Sequence, residues 1–246
     1  MTSTEDNRTM KGAKQILLAG FAALCMVLPA CNQCYTGEYF TERAPLVISP
    51  EPLNTVSYTA EYTQDGVLPF TCEVNLGTDG RIRRDYVWKD EKGAEKKASI
   101  VINGSEAIKS EDGKSAALDD SDTAMARFYS GLILNPAPLI SCVWMQGNVW
   151  DLVPADDVPG VARFYVCVDT DSRHWTDLIV RMGKVEDASG DVSSVFSEYK
   201  TESGVTYPSR IVSSTENGAP VTCVIRDVKI NPELPDELFR LSEPNG

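Results

Sequence analysis

From position 54 onward the chain alternates apolar and polar residues in short runs separated by turn residues. "TVSYTAEYT" (55–63), "PFTCEVNL" (69–76), "RIRRDYVWK" (81–89) and "KASIVING" (97–104) each read as strands, with "QDG", "GTDG" and "DEKGAEK" as hairpin turns between them. "SEAIKSEDGKSAALDD" predicts one more hairpin. The period then changes. In "DDSDTAMARFYSGLIL" (119–134), Asp and Ser capping candidates precede Ala124, Phe128 and Leu132 at helical spacing, and Asn135-Pro136 ends the run. After "NPAPLISCVWM" strands resume at 147–154, 161–169, 175–183, 192–201, 205–215 and 220–230. About ten strands and one substantial interior helix predict an α+β fold built on a large antiparallel sheet, with the helix on one sheet face.

The alternation also assigns faces. Phe164, Val166 and Val168 share one side of their strand, against Arg163, Tyr165 and Asp169. Thr222, Val224, Val228 and Ile230 are expected to share a face that excludes Asp227. One apolar and one mixed face fit a sheet covered on one side only. Such a face is either an ordinary core or a loosely covered concavity with room for acyl chains.

The first thirty residues differ in kind. Lys11 and Lys14 precede an uncharged run, Gln15 to Ala30, whose apolar heart is long enough for an export signal and too short for a membrane-spanning helix. Glu5 and Asp6 suit such a signal poorly, so a start at Met10 rather than Met1 gives the more ordinary version. Leu28, Ala30 and Cys31 resemble a bacterial lipobox, with Pro29 atypical. That resemblance implies lipidation of Cys31 by a diacylglyceryl group and an N-acyl chain of the palmitate class, which together make a stable membrane anchor. Residues 1–30 then form the signal, 31–53 a tether interrupted by Pro45, Pro50 and Pro52, and 54–246 the domain.

Loss of residues 1–30 removes Arg8, Lys11 and Lys14 with Glu5 and Asp6, moving the formal charge from -13 to -14. That sign disfavours nucleic acid and anionic membrane surfaces as partners. Past the signal, Cys31, Cys34, Cys72, Cys142, Cys167 and Cys223 remain, and lipidation of Cys31 leaves five, an odd number whose pairing the sequence leaves open. "CNQC" (31–34) lacks the second pair that a metal site requires.

"GVTYPSRIVSSTENGAPVTCVIRDVKINPELPDELFRL" (204–241) runs through two strands into Asn-Pro and a short segment carrying Phe239. This stretch resembles the C-terminal half of the LolA/LolB-like periplasmic lipoprotein-carrier family. "FTCEVNLGTDGRIRRDY" is similar to that family's early strand pair with its Arg-rich turn, and "INGSEAIKSEDGKS" to its next hairpin. The resemblance spans about residues 54–242. It implies a curved antiparallel half-barrel whose concave face is covered by helices, enclosing a cavity for acyl chains of lipoproteins or other lipids. Cavity candidates are Tyr58, Phe128, Leu132, Phe164, Val166, Leu178, Val180 and Val224. Val67 and Leu68, in "DGVLPF", either form an apolar tip contacting a membrane or partner, or merely begin a strand. "PDELFRL" is expected to make about two helical turns that plug the end of the sheet, with Phe239 packing rather than touching ligand.

No cofactor or metal follows from these residues, and enzyme chemistry finds little support. His174 is the only histidine and has no Gly-x-Ser-x-Gly elbow with it. "DGKS" (112–115) lacks the first glycine of a phosphate loop, because Ile108 stands there, and "DDSD" (119–122) reads as a helix cap. The expected function is therefore non-enzymatic: binding of acyl chains for transport or sorting to the outer membrane, by an exported, lipid-anchored envelope protein facing the periplasm, with a periplasmic carrier as a further partner. An RseB-type stress sensor and a structural lipoprotein without ligand are the alternatives.

Overall fold

The computed structural model describes residues 34–155, 161–182 and 191–241. Cys31 and the expected signal lie outside them. Thirteen strands form one antiparallel sheet: β1 Thr55–Gln64, β2 Val67–Gly77, β3 Ile82–Lys89, β4 Glu95–Asn103, β5 Glu106–Glu111, β6 Lys114–Ala117, β7 Ile140–Gln146, β8 Val149–Pro154, β9 Val161–Asp169, β10 His174–Met182, β11 Val192–Glu202, β12 Val205–Thr215 and β13 Val221–Ile230. Their order is β6-β5-β4-β3-β2-β1-β13-β12-β11-β10-β9-β8-β7. Two meanders thus meet where β1 pairs with β13. The tight turns use left-handed residues, as at Asp112 (φ 48°) and Gly113 (φ 80°), so "DGKS" is a hairpin turn. Strand β7, which follows the Pro-rich stretch at 136–139, goes beyond the strands expected from the sequence.

The connection from β6 to β7 joins opposite edges of this sheet and forces it to curve. Thirteen strands about 4.8 Å apart would span roughly 58 Å if flat. The link contains helix α2, Asp120–Leu134, whose 15 residues reach about 22 Å, and seven further residues that add about 24 Å at full extension. Only a curled sheet brings the edges within reach. The sheet remains open, with α2 across its concave face. Asp119 caps α2 by accepting a 2.7 Å hydrogen bond from the Asp122 N–H, as its sequence predicts.

Residues 34–48 are not a tether. Cys34 forms a disulfide with Cys142 on β7, Tyr35 bridges Val143, and helix α1, Gly37–Arg43, begins at an N-cap Thr36 whose side chain accepts from the Tyr39 N–H. Gly37 is required, because a Cβ there would lie 2.2 Å from the Ala137 carbonyl oxygen. Phe40 is fully buried, edge-on to Trp150 and Trp175 with ring centroids 5.7 Å from each. Burial of such a side chain contributes about 1.5–3 kcal/mol. The Trp175 indole N–H donates to the Ala44 carbonyl at 2.7 Å, and Ile48 bridges Thr206 on β12. The prolines do interrupt regular structure, but the helix precedes the first of them, and the whole segment lies inside the fold as a strap.

The C-terminal segment packs against β3 and β4 from the convex side. Asn231 (φ 49°) accepts hydrogen bonds from the N–H groups of Asn54 and Thr55 through its side-chain oxygen. A single 3-10 turn, Asp236–Phe239, follows in place of the expected two helical turns. Phe239 is buried beneath the Arg81 guanidinium, 4.8 Å from the ring centroid, while Arg83 and Asn103 donate to the Leu238 and Phe239 carbonyls. Phe239 packs, as expected.

Candidate functional site

The concave face is filled on one side and accessible on the other. On β7–β11 the side chains of Val143, Trp150, Leu152, Phe164, Val166, Leu178, Val180 and Phe196 meet Phe40 and Leu46 of the strap and Phe128 and Leu132 of α2. Six of the expected cavity residues, Phe128, Leu132, Phe164, Val166, Leu178 and Val180, are therefore core. They share the concave face as the alternation predicts, but the strap occupies the space that acyl chains were expected to fill. Phe128 and Phe164 already meet edge-to-face, with centroids 5.3 Å apart.

Val224 lies on the convex face. It is paired with Glu61 and Arg210, and Glu61 forms an ion pair with Arg226 at 2.9 Å. Asp227 adopts φ 52°, and the β1–β13 register shifts between Ser57 and Thr59. That bulge reverses the alternation, so Val228 and Ile230 share the inner face with Ile225 and Cys223 instead of with Val224.

Tyr58 is the one expected cavity residue that lines open space. Between the strap, α2 and the middle of the sheet runs a cleft of about 40 Å³, bounded by Leu46, Val47, Ile133, Val56, Tyr58 and Ile230 among others and lined by no charged side chain. In this state it is narrow.

Beyond Tyr58 the inner face of β1–β4 changes character. Ala60, Cys72, Val74, Leu76, Ile82 and Ile102 form a second buried cluster, against which Tyr58, Tyr62, Tyr86, Ile100 and Cys223 pack, together with Ala126 and Leu134 of α2. Amid these sits Arg84, cross-strand from Val74 and Ile100. Its neighbour Arg83 faces the other way and grips Asp85 with two hydrogen bonds, of 2.6 and 2.9 Å. Arg84 lies near Tyr86, Tyr58 and Tyr62. Its Nε is buried with no hydrogen-bond partner, and it makes no ion pair with a carboxylate among the described residues. Burial pulls the guanidinium pKa down, but Tyr58, Tyr86 and Tyr62 more than offset this, so it stays cationic.

Burial has the opposite effect on the acidic groups around it. It pushes Tyr58 up to about 12, against the lowering influence of Arg84, and raises Tyr62 and Tyr86 as well. The Cys72 and Cys223 thiols rise to about 12 and about 11, again chiefly through burial. All five are neutral at pH 7, and such thiols are poor nucleophiles. Neither thiol is therefore activated for attack at pH 7.

From Tyr86 the inner face opens into a wide surface groove of about 630 Å³, bounded by Phe70, Tyr86, Trp88 and Ile100, with Val67 and Leu68 on its rim. Those two residues begin β2, as one reading of "DGVLPF" expects, and they are 52% and 49% exposed. His174 stacks on Tyr199 at 3.9 Å. Among the described residues no helix is long and apolar enough to cross a membrane.

Arg84 is the residue that the sequence reading passed over. A signal for it exists in "RIRRDY": consecutive arginines in a strand point to opposite faces, so Arg83 and Arg84 cannot both be solvated on the convex side.

Neither a protein-family model nor a curated protein sequence matches the chain. Solved structures do match it. A LolA superfamily protein from Nitrosomonas europaea shares 14% identity over 84% of this chain and 98% of its own, with a TM-score of 0.56. A DUF1329 family protein from Desulfovibrio piger shares 12% over 80% and 93%, with a TM-score of 0.57. A Vibrio parahaemolyticus domain named for outer membrane lipoprotein sorting shares 10% over 83% and 95%, also at 0.57. The open curved sheet, the α2 crossing and these likenesses together establish that the chain has the LolA/LolB-like fold.

Proposed function

We propose that this protein is a non-enzymatic envelope lipoprotein that binds acyl chains of lipoproteins or other lipids on its concave face, for transport or sorting to the outer membrane. The observation that carries this reading is the cleft beside Tyr58, which has apolar walls, no charged lining and a cover made of a strap and one helix. Each buried CH₂ contributes about 0.8 kcal/mol, so a cleft of this kind holds a chain in water without covalent chemistry once the cover shifts to widen it. The fold neighbour named for lipoprotein sorting supports the same reading. So does the Cys34–Cys142 disulfide, a feature of exported proteins. Cys31 is the proposed lipid anchor, which would place the protein on the periplasmic face of the outer membrane. Val67 and Leu68 are the proposed contact with the membrane or with a periplasmic carrier.

Titration with a fluorescent fatty-acyl probe, followed by displacement with unlabelled palmitoyl lipid, tests this function. Saturable, displaceable binding is expected. Absence of binding at lipid concentrations below micelle formation would contradict it.

A further inference from the structure

We propose that the concave face selects an amphiphile with one ionised head group, a carboxylate or a phosphate, and that Arg84 with the hydroxyls of Tyr58, Tyr62 and Tyr86 forms the site for that head. This inference rests on the acyl-binding reading above and specifies its ligand class. An acyl chain in amide or ester linkage to a lipoprotein carries no charge of its own. A fatty acid or a lysophospholipid does.

The argument begins with the alternation of β3. Ile82, Arg84, Tyr86 and Trp88 are cross-strand from Leu76, Val74, Cys72 and Phe70, all on the inner face. Arg83 takes the convex side and finds Asp85 there. Arg84 is left among phenols, thiols and aliphatic side chains with a buried Nε unsatisfied. Arg84 is partly exposed, but sealing its Nε from water without a partner and holding the cation away from any anion is costly, and native proteins rarely do so without a functional reason. Replacement by an apolar side chain would relieve that cost, so the cation is an expense that a ligand can justify.

Among the described residues no carboxylate is positioned to supply the missing charge. The inner-face partners next along the sheet are Ile100 and then Lys109, and Lys109 approaches Glu111 at 3.7 Å. Tyr58, Tyr62 and Tyr86 retain their protons and are therefore hydrogen-bond donors available to an anion. A guanidinium fork grips carboxylate or phosphate oxygens in pairs, and low-dielectric surroundings strengthen that grip. Tyr58 belongs both to the Arg84 surroundings and to the wall of the apolar cleft. A head group held at Arg84 therefore leaves its tail at the mouth of the cleft.

The test compares three ligands that share one tail: palmitate, 1-palmitoyl lysophosphatidate and methyl palmitate, delivered from cyclodextrin to the full-length protein and followed by tryptophan fluorescence or calorimetry. The expected result is at least tenfold tighter binding of one or both ionised ligands than of the methyl ester. The tighter of the two identifies the head as carboxylate or phosphate. Arg84→Met should abolish the preference while keeping methyl ester affinity, and Lys97→Met, on the convex face, should leave it intact. Tyr62→Phe and Tyr86→Phe preserve packing and should each reduce the preference, which covers the case of an Arg84 variant that fails to fold. Equal binding of all three ligands by the wild type, or a preference that survives in folded Arg84→Met, overturns the head-group site alone. Failure of all three to bind overturns the acyl-binding function together with it.

Discussion

Asp227, with φ 52°, determines which side of β13 its neighbours face. Period-two alternation places Val224 with Val228, and the bulge separates them. No residue type in "VIRDVKI" announces the extra position, since aspartate is only modestly favoured in left-handed backbone. The same alternation is fully informative over 164–168 of β9, where that strand carries no extra residue and Phe164, Val166 and Val168 face inward as expected. The residue scale also carries a pH prediction. Cys72, Cys223 and Tyr58 keep their protons in the fold to about 12, about 11 and about 12, above the ordinary 9.0 of a thiol and 10.0 of a phenol. Above these ordinary values the unfolded chain releases protons that the native state retains, so stability is full below about pH 9 and falls as pH rises from there to about 12. The urea midpoint should therefore be lower at about pH 10.5 than at about pH 8, and Cys72→Ala should flatten part of that slope. Equal midpoints for the wild type would show that these groups are more solvated than the fold implies.

At the scale of elements, the hairpin joining β1 and β2 separates packing from contact. Val67 and Leu68 project from its tip, half exposed, beside the groove lined by Phe70 and Trp88. Replacing both by Ser should change stability by no more than about 0.5 kcal/mol, as for surface positions. It should also weaken association with phospholipid vesicles and slow lipoprotein transfer. A clear drop in thermal stability with unchanged vesicle association would assign the pair to the core instead. Element legibility followed the strength of local signals. Helix α2 was readable because Asp119, a 3.6-residue period and Asn135-Pro136 all agree. Helix α1 was not, because its seven residues are too few to display a period and three prolines follow. What makes it an element is tertiary: Phe40 between two tryptophans, and the Cys34–Cys142 bridge, a contact 108 positions apart in sequence. The space that the strap fills explains why six expected cavity residues are core while Tyr58 lines the cleft.

For the whole molecule, two meanders joined at β1 and β13 and bridged between their outer edges by α2 give a concavity that cannot flatten while the link is intact. The filled half provides a rigid core. The other half presents, in sequence, an apolar cleft, a half-buried cation among neutral phenols, and an aromatic groove that opens to solvent. The central claim is that this concavity carries acyl lipid. Its most direct test is to express the full chain with Cys31→Ala in a Gram-negative host, recover the protein from the soluble envelope fraction, and examine it by native mass spectrometry with lipid extraction. The account predicts that the variant leaves the membrane and carries a stoichiometric acyl lipid, which palmitate or a lysophospholipid displaces. Protein that is recovered folded and empty, and remains empty when offered these lipids, would contradict it.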